Sequence, residues 1–305
     1  IGVIIHASLA ESVSVVGCQL FPDANPVSSL ILRTITKLIF ALHPCHVEAV
    51  VNSANRPHIL ALLASMIAVD CRTHIVFLYV AYVIGLTSAE TFIFQMPAII
   101  LTMLAIQWNR TTERNLSSLR SSIISLLPRI FVVCGLTSMY LFGRYYFDTL
   151  QINLELIRKA ENAFAHYEGK RRLLSFPLVV AIHIGKMFTI DPIGSSHEYG
   201  FDCIRGVESE DDFRLIYPAG IALTLLVTAI VCLKRGAGST LMFLVFASWV
   251  ATLFPICGFI TVGTFIADRL TIASSFGFCV FAGKALTMIF CHFHERKNNE
   301  ALITL

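Results

Sequence analysis

The sequence predicts an all-α fold, a polytopic transmembrane helical bundle. Two observations carry this expectation. Hydrophobic residues make up 56% of the 305-residue chain and charged residues 14%, whereas soluble domains carry about 25% charged residues. Mean hydropathy is +0.73, and the apolar residues gather in long runs separated by polar turns. A net charge of +3 is too small to suggest nucleic-acid binding.

A helix needs about 20 apolar residues to cross the hydrocarbon, fewer in a thin bilayer. Runs with that character cover residues 1–20, 34–43, 58–70, 74–87, 91–107, 123–147, 215–233, 241–254 and 266–291. The second is short and stops at Pro44, which lacks an N–H and disfavours the helical conformation at His43. The third is also short. It starts with Pro57 in its first turn and Asn55 as a cap. A further run, 173–190, is apolar but carries His183, Gly185 and Lys186.

Basic clusters set the expected orientation. Arg33/Lys37, Arg72, Arg110/Arg114/Arg120, Lys234/Arg235 and Arg296/Lys297 should all face the cytosol. They do so only if 173–190 does not cross, so that run is expected to be re-entrant or to lie along the luminal face. Segments 43–58, 88–90, 148–214 and 255–264 then share the opposite side. The sequons at Asn109 and Asn115 are the contrary sign, because this orientation makes them cytosolic.

Residues 191–214 are the most charged part, with seven acids against Arg205 and Arg214. They read as a solvated loop or as a cap over a membrane cavity. The nine cysteines lack metal-type pairing, and most read as small buried hydrophobes. Cys45, Cys203 and Cys257 could share one aqueous face, which would allow a disulfide. Ile1 lies inside an apolar run with no charged segment before it, so the chain reads as a portion of a longer protein.

The most informative stretch is His43-Pro44-Cys45-His46-Val47-Glu48-Ala49-Val50, followed by Arg56. Two imidazoles and a carboxylate at the mouth of a membrane helix pair are costly and usually functional. This stretch resembles the motif of the transmembrane and TPR-repeat-containing O-mannosyltransferases, members of the GT-C glycosyltransferase superfamily. His6-Ala7 is similar to a Leu-His-Ala element of that family, and Gly85 to Glu90 to its Leu-Ser-Lys-Glu element. Glu161-Asn162-Ala163 looks like its Asp-Asn-Pro. Pro192, Glu198-Tyr199, Ile204, Val207-Glu208-Ser209, Asp212 and Arg214 resemble its luminal motif. Ala267-Asp268-Arg269 and Ser275 to Cys279 resemble its Ala-Glu-Arg and Pro-Ser-Met-Gly-Phe-Cys. Ile272-Ala273-Ser274 departs from its Tyr-Leu-Pro.

The resemblance implies a GT-C-like bundle in four parts. Residues 1–147 would be the N-terminal membrane core, 148–214 the luminal loop region, 215–291 the C-terminal spans and 292–305 a cytosolic tail. It implies an endoplasmic-reticulum multi-pass enzyme that transfers mannose from dolichyl-phosphate mannose to Ser or Thr of secretory or cell-surface proteins. No metal or other cofactor is implied. The family's catalytic carboxylate would precede Ile1 and its TPR repeats would follow Leu305, so this chain alone is expected to be inactive.

Such chemistry needs cations or donors for the departing phosphate. Arg269, beside Asp268, and Arg56, at a helix start, are the candidates; an Asp268–Arg269 ion-pair network or an interfacial anchor are the alternatives. His43, His46 and Glu48 read as a hydrogen-bonded elbow, as direct sugar or phosphate contacts, or as partial metal ligands. Glu90 reads as a cavity residue or as an acid favoured by a helix start. Glu11 is expected to pair with another helix through Lys37 or a histidine. His183 and Lys186 are expected to snorkel or face the cavity. A transporter or channel, and a non-catalytic relative that binds lipid or partners, are the competing readings.

Overall fold

A computed structural model describes residues 1–111, 115–147, 157, 162–188, 205–257 and 267–303, without the side chains of 256 and 295–303. Among the described residues there are eleven α-helices and no strand. They are α1 (Gly2–Leu20), α2 (Pro26–Ala41), α3 (Val47–Val51), α4 (Arg56–Asp70), α5 (Ile75–Ser88) and α6 (Met96–Asn109), then α7 (Leu116–Tyr146), α8 (Gly169–Met187), α9 (Ile216–Arg235), α10 (Ala237–Val250) and α11 (Ile272–Ile303). Glu198 and Tyr199 lie outside the described residues, as do Cys203, Glu161, Pro192 and Ile204.

Among the described residues, five helical stretches are long and apolar enough to cross a membrane: Gly2–Leu20, Glu90–Asn109, Leu116–Tyr146, Phe213–Arg235 and Asp268–His294. The pair Pro26–Ala41 and Pro44–Val51, bent by 56° where Pro44 interrupts the hydrogen-bond ladder, is a sixth if the two helices count as one broken span, and a re-entrant loop otherwise. Helix α5 has 14 residues, about 21 Å of rise against a hydrocarbon core of about 30 Å. It remains a shorter apolar helix, as does Ala237–Leu253. Helix α8 is not among the spans. The described residues form a multi-pass, all-helical membrane bundle.

Local sequence explains where the helices start. Asn25 accepts the Val27 N–H at 2.9 Å and Pro26 occupies the first turn, so α2 begins eight residues before the apolar run read from sequence. Asn115 and Ser118 cap α7 reciprocally. Gly236, at φ +104°, lets α10 follow α9 without a spacer, a conformation that favours glycine.

Helix α1 lies between α2 and α4, α11 packs on α2 and α10, and α6 joins α7 to α10. Leu9, Val13, Val16, Met66, Phe276 and Val280 are buried at this junction. Helices α1 and α2 run antiparallel, shown by the contacts of Cys18 with Ser29, Glu11 with Lys37 and His6 with Ala41. Arg33 and Lys37 therefore meet Glu11 partway along α1, away from the helix ends. The Arg33/Lys37 cluster forms an ion-pair group with Glu11 between two helices. By contrast, α9 buries none of its residues, as suits a peripheral helix facing lipid.

Candidate functional site: a polar elbow at one end of the bundle

Pro44 ends α2 and opens a 3-10 turn, Pro44–His46, which leads into α3. The turn is tied to three helices by its histidines. His43 Nε2 donates to the Met187 carbonyl at 2.8 Å, at the end of α8. His46 Nδ1 donates to the Phe40 carbonyl at 2.8 Å, and its Nε2 stands 2.8 Å from Ser275 Oγ on α11. His6 of α1 packs edge-on against the His46 ring, 5.2 Å between centroids. Both elbow histidines are buried, so each polar atom needs such a partner.

Glu48, at the start of α3, reaches across to the segment before α11. Its Oε2 accepts the Arg269 main-chain N–H at 3.1 Å, and Oε1 accepts the Arg269 guanidinium. Asn55 Nδ2 also donates to Glu48 Oε1, at 2.9 Å. Beside this pair, Lys186 Nζ donates to Asp268 Oδ1 at 2.8 Å, with side-chain exposures of 3% and 9%. Asp268 and Arg269 are thus both ion-paired, but with separate partners and not as one Asp268–Arg269 unit. Lys186 sits in the last turn of α8, where the carbonyl ends favour a cation.

Arg56 is placed differently. It opens α4, and its Nε is buried without a hydrogen-bond partner. It forms no ion pair among the described residues. Among the described residues, Arg56 is therefore the guanidinium at this end without an acidic partner.

Glu90 begins the 3-10 turn Glu90–Gln95 and pairs with Arg144 near the end of α7. Its neighbours Thr91 and Gln95 line a cavity of about 10 Å³ together with His58 and Arg269, room for about one water. Four stretches far apart in sequence thus meet at one end of the bundle. An apolar groove of about 600 Å³ between α8, α9, α10 and α11 adjoins them. Phe278 lines that groove and sets its ring edge-on to His43, 5.7 Å between centroids.

The candidate metal ligands differ from those read in sequence. His43, Cys45 and His46 each bring one ligand atom within 4.8 Å of the others. Glu48 is occupied by Arg269 and Asn55, so Cys45 takes the place expected of the carboxylate. Soft thiolate and imidazole would suit zinc or monovalent copper. Cys45 and Cys257 are free thiols, so no disulfide joins those two.

Glu208, Asp212 and Arg214 form a separate group at the start of α9. Arg214 is clamped by Asp212 and donates to the Arg205 carbonyl at 2.7 Å. Glu208 pairs with Arg171 at 3.2 Å, at the far end of α8. The Arg214 guanidinium, more than any other contact, holds the Asp212 carboxyl below its ordinary pKa. Val207 N–H donates to Ser175 Oγ at 2.8 Å, so this group braces the first half of α8, whose last residue receives His43.

Sequence reading named Cys45, Ser275, Lys186 and Asp268 but not what they meet: Cys45 the two histidines, Ser275 His46, and Lys186 Asp268. Lys186 and Asp268 are 82 positions apart; an improbable place in an apolar run marks Lys186 and the motif resemblance marks Asp268, but neither signal pairs them. No protein-family model matches the chain, and no characterised protein or solved structure matches it either.

Proposed function

We propose that this chain is the membrane core of a glycosyltransferase using a polyprenyl-phosphate sugar donor. By its motif resemblance it is a protein O-mannosyltransferase of the endoplasmic reticulum, acting on Ser or Thr of secretory or cell-surface proteins. The observation that carries this reading is the junction of Glu48 and Arg269, which joins the two motif stretches, together with an apolar groove that meets the same elbow through Met187 and Phe278, both in contact with His43. A lipid-linked donor needs that combination: a cationic, hydrogen-bonding end for its phosphate and an apolar channel for its tail. Arg56 is the phosphate ligand in this reading, since its charge is not engaged by an acid. Arg269 then shapes the pocket through Glu48. No residue of the chain is assigned as general base.

The test uses the full-length gene product in microsomes, with labelled dolichyl-phosphate mannose and acceptor peptides. Mannose transfer to Ser or Thr that falls on the order of tenfold or more in Arg56→Ala is the expected result, the size lost with one charged hydrogen bond. Absence of transfer from any polyprenyl-phosphate sugar would overturn the enzymatic reading. A non-catalytic lipid-binding relative is the second reading, favoured by the mutual neutralisation of Glu48 with Arg269 and Lys186 with Asp268. It predicts donor binding without turnover.

A further inference from the structure

At the end of the bundle opposite Glu48, a cavity of about 760 Å³ opens between the end of α1, the α9–α10 turn and the middle of α11. Lys284 enters it twelve residues into α11, about 18 Å from that helix's start. Arg235, the last residue of α9, enters from the other side because Gly236 turns the chain at once into α10. Neither cation has a carboxylate within 4 Å among the described residues. Asp23 senses the Lys284 charge, but its oxygens already accept the Asn25 N–H at 3.0 Å and the Ser28 hydroxyl at 2.7 Å. The Lys284 ammonium instead lies 5.9 Å from the centre of the Phe21 ring. The remaining wall is apolar, including Phe243 and Phe281. An adjoining cavity of about 480 Å³ shares Pro22 and Asn109 with it and brings in Arg110.

We propose that this cavity binds an anionic glycerophospholipid, with its phosphate between Arg235 and Lys284 and its acyl chains along the phenylalanine wall. The chemistry selects this occupant. A free phosphate would leave the apolar wall wet, and a zwitterionic lipid would leave the two cations without net counter-charge. Basic pockets between membrane helices on the cytosolic side are favoured sites for anionic headgroups. The site is independent of any transferase activity, because it lies a helix length from the elbow.

Trp108 provides the readout, since it packs 3.4 Å from where a Cβ on Gly238 would stand at the rim of this cavity. The full chain is placed in bilayers with Trp249→Phe, leaving Trp108 as the only tryptophan, and titrated with dibrominated lipids. Phosphatidylserine is expected to quench at a far lower mole fraction than phosphatidylcholine. At about fivefold per cation, the preference is on the order of 25-fold. It should fall to within about twofold in Arg235→Gln/Lys284→Gln, with helicity unchanged by circular dichroism. Mass spectrometry of lipids co-purified with the unsubstituted chain and with this double variant gives a second measure that does not depend on Trp249→Phe. Equal quenching by both lipids, or a preference that survives both substitutions, overturns the proposal. So does full competition by millimolar inorganic phosphate, which would identify a free-anion site.

Discussion

Glu48 and Arg269, 221 positions apart, are joined twice, once through the Arg269 main-chain N–H and once through its guanidinium. The side chains are only 12% and 16% exposed. Removing one member takes the opposite charge away from a mostly buried group, and breaking a buried pair typically costs about 3–5 kcal/mol. Glu48→Ala and Arg269→Ala should each lower the unfolding midpoint in mixed micelles. Glu48→Ala/Arg269→Ala should cost less than the sum by about 1–3 kcal/mol. Strict additivity would show that the two side chains do not interact.

The Lys186–Asp268 pair is more deeply enclosed and permits a sharper comparison. Asp268→Asn strands a buried ammonium and is expected to destabilise the protein by about 3–5 kcal/mol. Lys186→Met/Asp268→Asn removes both charges and should recover at least half of that loss, because apolar replacement of a buried pair is often close to neutral. Reversible unfolding monitored by tryptophan fluorescence reads both variants. A double variant less stable than Asp268→Asn would contradict the pairing.

These pairings show where sequence reading stops. The break at Pro44, the proline start of α4 and the membrane class were legible because proline geometry and composition act locally. Lys37 is readable as a partner of Glu11 because a mid-span acid needs a cation, but nothing in the sequence shows that Arg33 shares that role. Glu90 was expected at a helix start or in a cavity. It opens a helical turn, yet its partner is Arg144, fixed by how α7 lies against that turn. Lys186 could be seen as costly, whereas Asp268 as its partner depends on where α8 ends. Local rules locate the charged residues; packing decides which of them meet.

Gly283 lets α11 lie close against Thr36 of α2. A Cβ there would overlap Thr36 Oγ1 and come within 3.2 Å of Thr36 Cα, so main chain as well as side chain must move. Gly283→Ala should destabilise by about 1–3 kcal/mol through overpacking. Gly143, in α7, has open space at its Cβ position, so Gly143→Ala should stabilise by up to about 1 kcal/mol from helix propensity. Opposite signs in a thermal-unfolding comparison are the expected result; equal effects would place Gly283 away from α2.

The Asp212–Arg214 clamp makes the start of α9 sensitive to acid. The Asp212 carboxyl is held below its ordinary pKa, chiefly by Arg214. A depressed carboxyl contributes its stability above the unfolded pKa and loses it as pH falls through the folded value. Limited proteolysis around residues 205–214 should therefore be unchanged from neutral pH down to about pH 4, the ordinary aspartate value, and rise only below it. Asp212→Asn should abolish this acid step. A rise beginning near pH 6 would point to a histidine instead.

The two ends of α1 connect the elbow to the question of sidedness. A Cβ on Gly2 would touch the Val50 carbonyl oxygen, beside the elbow, while at the other end the Leu20 carbonyl accepts from Asn109 Nδ2 at 2.7 Å. Helix α1 has 19 residues, so Asn109 lies about 28 Å of helix away from the elbow. If the basic end around Arg110, Lys234 and Arg235 faces the cytosol, Asn109 cannot carry a glycan although its sequence permits one. Expression in secretory-competent cells followed by endoglycosidase treatment should give no mobility shift attributable to Asn109, and Asn109→Gln should migrate as the unsubstituted chain does. An artificial sequon placed in the exposed turn at Asn52–Ala54 tests the opposite end. A glycan on Asn109 would invert the bundle, place the elbow in the cytosol and remove the basis for a luminal transferase.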